Sequence, residues 1–79
     1  MGDMVSAFIM IKTTAGKSEG LLEEIRSHEG ISEAHIVAGK YDIIAEGVGK
    51  EVYDVMRTIA TRVRDLDGVV DTRTYICME

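Results

Sequence analysis

The chain has 79 residues, of which 46% are hydrophobic and 29% are charged, and its net charge is −5. A chain of this length forms one small domain that buries roughly 60% of its unfolded surface, and such domains often depend on oligomerisation for stability. The acidic balance argues against binding to the phosphate backbone of a nucleic acid, which requires clustered Lys and Arg.

Cysteine content and the length of the apolar runs predict a cytoplasmic protein. The single cysteine, Cys77, has no second cysteine with which to pair, which favours a reducing compartment. We expect no signal peptide, because residues 1–10 lack a basic start. We expect no membrane span either, because the apolar run at residues 8–11 is far too short.

The first half of the chain is predicted to form a strand, a helix and a second strand. Alternating apolar residues place the first strand at residues 4–12. The first helix covers residues 18–27. Its apolar side chains at helical spacing are Leu21, Leu22 and Ile25. Gly30 suits a left-handed C′ cap after this helix, and the second strand covers residues 32–38.

The second half is predicted to repeat this order. The third strand covers residues 42–48, and the second helix covers residues 50–66. One apolar stripe runs along that helix: Val52, Val55, Met56, Ile59, Ala60, Val63 and Leu66. Gly68 suits a second left-handed cap, and the fourth strand covers residues 69–78.

The repeated order of elements predicts the fold class. Glu29-Gly30-Ile31 in the first half corresponds to Asp67-Gly68-Val69 in the second. Two split βαβ units with right-handed crossovers form an α+β, ferredoxin-like βαββαβ plait. We therefore expect one domain over residues 1–79, with a four-stranded antiparallel sheet and both helices on one face.

The first strand is apolar on both faces, although helices on one side of a sheet cover only one of them. One face carries an apolar row: Val5, Ala7, Ile9 and Ile11. Phe8 and Met10 are apolar on the other face. Further aliphatic residues expected on that second face are Ile36, Ile44, Val48 and Ile76. Leaving such a side chain exposed to water would forgo about 1.5–3 kcal/mol of burial free energy for each residue. We therefore predict a dimer through the helix-free face, with Phe8 and Met10 near its centre.

The segment between the second and third strands is a short polar turn that carries more chemistry than a hairpin requires. Gly39 can adopt positive φ, and Asp42 can hydrogen-bond neighbouring backbone amides. Tyr41 and Asp42 add two polar groups beside the sheet edge. Asp42 is open to two interpretations, as a ligand-binding carboxylate or as a residue that only stabilises the turn.

Gly39-Lys40-Tyr41-Asp42 lies between two strands, and a helix and the Gly68-Val69 strand start follow it. This arrangement resembles the effector-binding domain of the leucine-responsive and asparagine regulators (Lrp/AsnC type), also called the RAM domain. The resemblance spans nearly the whole chain, and its motif is about four residues long. It implies an assembly module, with dimers joined into an octamer, that binds an amino acid or related metabolite near the strand 2–3 turn.

The resemblance also implies which residues form the ligand site. Asp42 is expected to accept from the ligand ammonium, and the backbone amides of residues 39–41 to donate to its carboxylate. Lys40 departs from the small or acidic residues expected at that position and is expected to affect ligand preference. Thr72 and Thr74 are expected in the wall of the site, although β-propensity alone also explains two threonines in a strand.

Family members usually carry an N-terminal helix-turn-helix domain, and about three residues precede the first predicted strand here. We therefore expect a stand-alone effector-binding domain without a helix-turn-helix. It would have no direct affinity for nucleic acid and would associate with full-length regulators of the family.

A phosphate-binding loop and a metal site are only weakly indicated by the sequence. Gly16-Lys17-Ser18 lacks the second glycine of a phosphate-binding loop. No metal or cofactor is expected, because His28 and His35 lack clustered ligands.

The alternative function is a small dimeric ferredoxin-like enzyme, such as a monooxygenase or isomerase. Its candidate residues are His35, Tyr53 and Tyr75. A purely structural oligomer and an ACT-type amino-acid-binding domain also remain open.

Overall fold

The computed structural model describes residues 4–78, apart from the side chain of Thr58. Within this range the elements occur in the predicted order: β1 (Val5–Thr13), α1 (Ser18–Ser27), β2 (Ile31–Ile36), β3 (Ile43–Gly49), α2 (residues 52–64) and β4 (Val69–Ile76). The strands form one antiparallel sheet in the order β2-β3-β1-β4. The predicted α+β, ferredoxin-like plait is confirmed. No helix among residues 4–78 is long and apolar enough to cross a membrane.

The core lies between the two helices and one face of the sheet. Its members are Ile9, Ile11, Leu21, Ile25, Ala34, Ile43, Ala45, Ile59 and Val63. Full burial of a large aliphatic side chain contributes about 1.5–3 kcal/mol, so this layer is the main source of stability. The end of α1 is also tied to β2, because the guanidinium of Arg26 donates from Nε (3.1 Å) and Nη2 (2.8 Å) to the Ala34 carbonyl.

α2 differs from the uniform α-helix that the apolar stripe predicts. Val52–Asp54 and Thr61–Arg64 are α-helical, whereas Val55–Ala60 is π-helical. A π-turn, with its i to i+5 hydrogen bonds, changes the angle between successive side chains. As a result, the buried residues recur every four positions, at Val55, Ile59 and Val63. Two members of the predicted stripe are instead exposed: Val52 at 48% and Met56 at 43%.

The strand register assigns the residues of the helix-free face. Phe8 lies opposite Glu46 and Tyr75, and Met10 lies opposite Ile44 and Arg73. Residues directly opposite in a ladder share a face. The prediction that Phe8 and Met10 lie together on the face without helices is therefore confirmed, and Ile44 shares it.

The prediction that Ile36 and Ile76 lie on this face is wrong. Ile36 pairs with Ile43 and Ile76 pairs with Ala7, and both partners are buried under the helices. Alternation along one strand shows which of its residues share a face. It does not show which face the helices cover, because that depends on pairing with other strands.

Gly30 and Gly68 adopt the predicted left-handed conformation, with φ of 95° and 98°. The prediction that they are C′ caps is wrong, because α1 ends at Ser27 and α2 at Arg64, and each glycine lies in the turn into the next strand. A Cβ on Gly30 would lie 2.7 Å from Ile59 Cδ1. Any other residue at position 30 would therefore be strained at this φ, and its Cβ would lie too close to the Ile59 side chain in the core.

We expect Gly30→Ala to lower the free energy of unfolding by roughly 1–3 kcal/mol, because alanine is strained at positive φ. Gly20→Ala is the matched control. Gly20 lies within α1 and has no atom within 4 Å of its Cβ position, so alanine should raise the free energy by about 0.5–1 kcal/mol. Urea denaturation at one fixed protein concentration measures both changes. Equal stability of Gly30→Ala and wild type would contradict the assignment.

Candidate functional site

The segment at residues 37–42 connects β2 and β3 and is held at its two ends. Val37 N donates to the Asp42 carbonyl at 2.8 Å, and Asp42 N donates to the Ile11 carbonyl at 2.9 Å. Gly39 has φ of 158°, which side-chain-bearing residues rarely adopt, and its Cβ position has no atom within 4 Å. Gly39 and Lys40 are exposed, while Tyr41 is half-buried. The tip of the connection is therefore open, and its ends are fixed.

The carboxylate of Asp42 is bound by the end of β1. Its Oδ2 accepts from the backbone N–H of Thr13 at 2.8 Å and from Thr13 Oγ1 at 3.2 Å. Thr13 Oγ1 also lies 2.8 Å from Ser18 Oγ, at the start of α1. These contacts form the Asp42–Thr13–Ser18 network, which joins the connection to the sheet and to the first helix.

The network affects the ionisation of Asp42. The Thr13 backbone N–H holds the pKa of Asp42 below its ordinary value of 3.8. Partial burial acts in the opposite direction, and the Thr13 hydroxyl and the Lys12 charge lower this pKa further. Asp42 is therefore ionised at neutral pH and places a negative charge beside the open turn.

A cavity of about 390 Å³ lies next to this network and is lined by Gly16, Ser18, Glu19 and Ile36. Ser18 belongs to both the cavity and the network. The volume is within the range of roughly 300–1,000 Å³ that is typical of small-molecule sites. Asp42, at the predicted turn, is thus connected through Thr13 and the Ser18 hydroxyl to a cavity whose volume suits a small molecule.

Thr13 and Ser18 are members of the site that the sequence reasoning missed. A signal for Thr13 exists, because it continues the buried row of Ala7, Ile9 and Ile11 and is itself only 9% exposed. A buried hydroxyl at the end of an apolar row requires a hydrogen-bond partner. The sequence gives no comparable signal for Ser18, which pairs with Thr13 only because α1 begins beside the end of β1.

Thr72 and Thr74 lie apart from the turn within one chain. They pair with Ile11 and Ile9, so they are on the helix-covered side of β4, and both are half-buried. β1 separates β4 from β3, so Asp42 and Thr72 are two strand spacings apart, roughly 10 Å. A site that contains both therefore either spans β1 within one chain or combines residues of different subunits.

The candidate catalytic residues of the alternative function are dispersed. His35 and Tyr75 lie on β2 and β4, the two edge strands, where His35 Nε2 is 3.1 Å from Glu33 Oε1. Tyr53 lies on α2 and accepts a hydrogen bond from Arg57 Nη1 at 2.7 Å. Among residues 4–78, no three His, Cys, Asp or Glu side chains are grouped as a metal site.

Comparison with known proteins identifies the family. The family model of the Lrp/AsnC ligand binding domain matches residues 6–79, and the chain belongs to this family. The leucine-responsive regulatory protein of Haemophilus influenzae is 34% identical over 55 residues, which are 70% of this chain and 33% of that protein. The chain thus matches about a third of the length of this curated relative.

Solved structures share the fold. FFRP-DM1 has a TM-score of 0.87 at 30% identity, with 94% of this chain and 99% of that chain covered. The transcriptional regulator NMB0573 of Neisseria meningitidis, described as a complex with L-Met, has a TM-score of 0.69 at 15% identity. The alignment covers 95% of this chain and 50% of that regulator.

The lowered pKa of Asp42 predicts how stability depends on pH. A carboxyl whose pKa is lower in the folded state stabilises the protein above its unfolded pKa, and this contribution is lost as pH falls through the folded value. The stability difference between wild type and Asp42→Asn should therefore be constant above about pH 5 and shrink as the pH falls below about 4. Thermal or urea unfolding at several pH values measures it.

Asp65→Asn is the control, because Asp65 is an exposed acid at the end of α2. The decline on acidification should be larger for Asp42→Asn than for this control, because the bonds from Thr13 belong to Asp42. A difference for Asp42→Asn that stays flat to pH 2.5 would show that Thr13 does not stabilise the charged form.

Proposed function

We propose that this chain is an effector-binding and oligomerisation module of the Lrp/AsnC type, which binds an amino acid or related small metabolite between subunits. The observation that carries the proposal is the ionised Asp42, which Thr13 holds in place beside an open turn and a cavity. Family membership supports a small-molecule effector. The L-Met complex of a structural neighbour supports an amino acid as its class.

The chemistry of an amino acid suits the groups at the connection. Both Thr13 bonds end on Oδ2 of Asp42, so we assign Oδ1 to the ligand ammonium. The backbone amides of residues 39–41 then face the ligand carboxylate, a pairing in which one partner is charged and the hydrogen bonds are therefore strong. The exposed Lys40 adds a positive charge on the carboxylate side, and Thr72 and Thr74 of another subunit contribute to the wall.

The assembly we propose is a dimer through the helix-free face, with further association into an octamer. Phe8 is 40% exposed and Tyr75, directly opposite it, is 56% exposed. A stable interface buries something like 1,600 Å² in total, and this face offers exposed apolar surface at the centre of the sheet for it.

In this proposal the module acts in the cytoplasm and affects transcription through mixed assemblies with full-length regulators, without binding DNA itself. We propose binding rather than catalysis, because His35, Tyr53 and Tyr75 do not converge on one site.

We expect at least one of the twenty amino acids to raise the melting temperature of the wild-type protein, since a ligand that binds only the folded state stabilises it. Asp42→Asn keeps an acceptor for Thr13 but removes the charge. It should weaken binding of that amino acid roughly tenfold to a hundredfold, measured by calorimetry, because a charge-assisted hydrogen bond is lost.

Asp65→Asn, which removes a negative charge from the exposed end of α2, is the matched control and should bind as wild type does. Equal affinity of wild type and Asp42→Asn would refute the site. The failure of all twenty amino acids to bind would refute the ligand class.

We expect Met10→Glu to convert the assembly to monomers, because it places a charge at the centre of the apolar interface. Arg62→Glu, on the exposed side of α2, is the control and should leave the assembly intact. Sedimentation velocity at micromolar concentration distinguishes the species. A wild-type protein that is monomeric under these conditions would contradict the proposed assembly.

A further inference from the structure

Among the residues that the structure describes, Glu19 is the one charged side chain in the wall of the cavity beside the Asp42–Thr13–Ser18 network. This cavity of about 390 Å³ is also lined by Gly16, Ser18 and Ile36. Ile36 is 45% exposed and supplies apolar surface. The wall therefore combines one carboxylate with an aliphatic side chain and a hydroxyl.

The carboxylate of Glu19 has no cationic partner within residues 4–78, because the two ion pairs in that range join other residues. Glu19 is exposed in the first turn of α1, where a negative charge interacts favourably with the helix dipole. That interaction accounts for an acid at this position while water fills the cavity. A ligand that fills the cavity displaces this water, and a carboxylate that loses water without gaining a counter-charge is destabilised.

The charged groups around the cavity and the turn follow an order. Lys12 and Lys40 lie at the turn, where Lys12 Nζ donates to the Lys40 carbonyl at 3.4 Å. Asp42 follows, and its network leads to the cavity that Glu19 lines. Lys17 precedes α1 but lines a different cavity, of about 220 Å³. From the turn to α1, the charges are therefore positive, negative and negative.

A basic amino acid carries the complementary charges in the same order. Its carboxylate is placed at the turn and its α-ammonium at Asp42, as in the proposed function. Its aliphatic stem then packs on Ile36, and its terminal cation reaches Glu19. A neutral amino acid leaves Glu19 desolvated and unpaired, and an acidic one adds a like charge, so both are disfavoured.

We infer that the effector is a basic amino acid and that Glu19 is the residue that selects it. This inference rests on the proposed function and specifies the side chain that the site accepts. Ile36 packs against any long aliphatic stem, whereas the carboxylate of Glu19 favours only a stem that ends in a cation. Selectivity is thus a difference between two affinities, and Glu19 affects only one of them.

The experiment compares L-lysine with L-norleucine, which has the same four-carbon side chain without the terminal ammonium. Wild type should bind lysine at least about tenfold more tightly than norleucine, because only lysine pairs with the desolvated carboxylate. Glu19→Gln should lower the affinity for lysine to about that for norleucine and leave the affinity for norleucine nearly unchanged. Isothermal titration calorimetry at pH 7.5 measures all four values.

Two further variants serve as controls. Glu24→Gln removes the same charge from an exposed position on α1 outside this cavity, and it should keep the preference for lysine. Asp42→Asn should weaken the binding of lysine and of norleucine by the same factor, because both ligands carry an α-ammonium. Melting temperatures without ligand verify that each variant is folded.

The outcomes separate the inference from the proposed function. If an amino acid binds in a manner that depends on Asp42, but lysine binds no more tightly than norleucine, the proposed function stands and the inference is refuted. A preference for lysine that survives Glu19→Gln would also refute it, since Glu19 would then act only on the helix dipole. If none of the twenty amino acids binds, the proposed function fails and the inference fails with it.

Discussion

The apolar character of both faces of β1 is the constraint on which the structure depends. β1 lies between β3 and β4, so its side chains form the centre of the sheet. Ile9 and Ile11 are fully buried under the two helices, whereas Phe8 remains 40% exposed on the other side. Two helices cover only one face of a four-stranded sheet. The molecule therefore folds around one face of β1 and leaves the other face uncovered, and this is the face through which we propose that it dimerises.

The end of β1 links this core to the candidate ligand site. At Thr13 the buried row becomes polar, and the Asp42 carboxylate satisfies both its N–H and its hydroxyl. Asp42 therefore stabilises the turn, as one of the two interpretations of the sequence supposed. The same bonds keep it ionised and fixed in position, which is what recognition of an ammonium group requires. The two roles are compatible, because each uses a different property of the carboxylate.

The order of the strands separates the predicted site residues within one chain. Asp42 precedes β3, whereas Thr72 and Thr74 are on β4, and β1 lies between these two strands. In the assembly that we propose, these residues come together from different subunits. Ligand binding and assembly are therefore expected to influence each other.

The sequence alone determined the order of elements, the fold class and the apolar character of both faces of β1, because these follow from local periodicity and glycine positions. It also located the turn at residues 39–42, since Gly39 and Asp42 have few other uses between two strands. Only the tertiary structure decided that Ile36 lies on the helix-covered face and that Ser18 joins the Asp42 network. These features depend on strand register and on where α1 begins relative to β1, and both are set by contacts between residues distant in the chain.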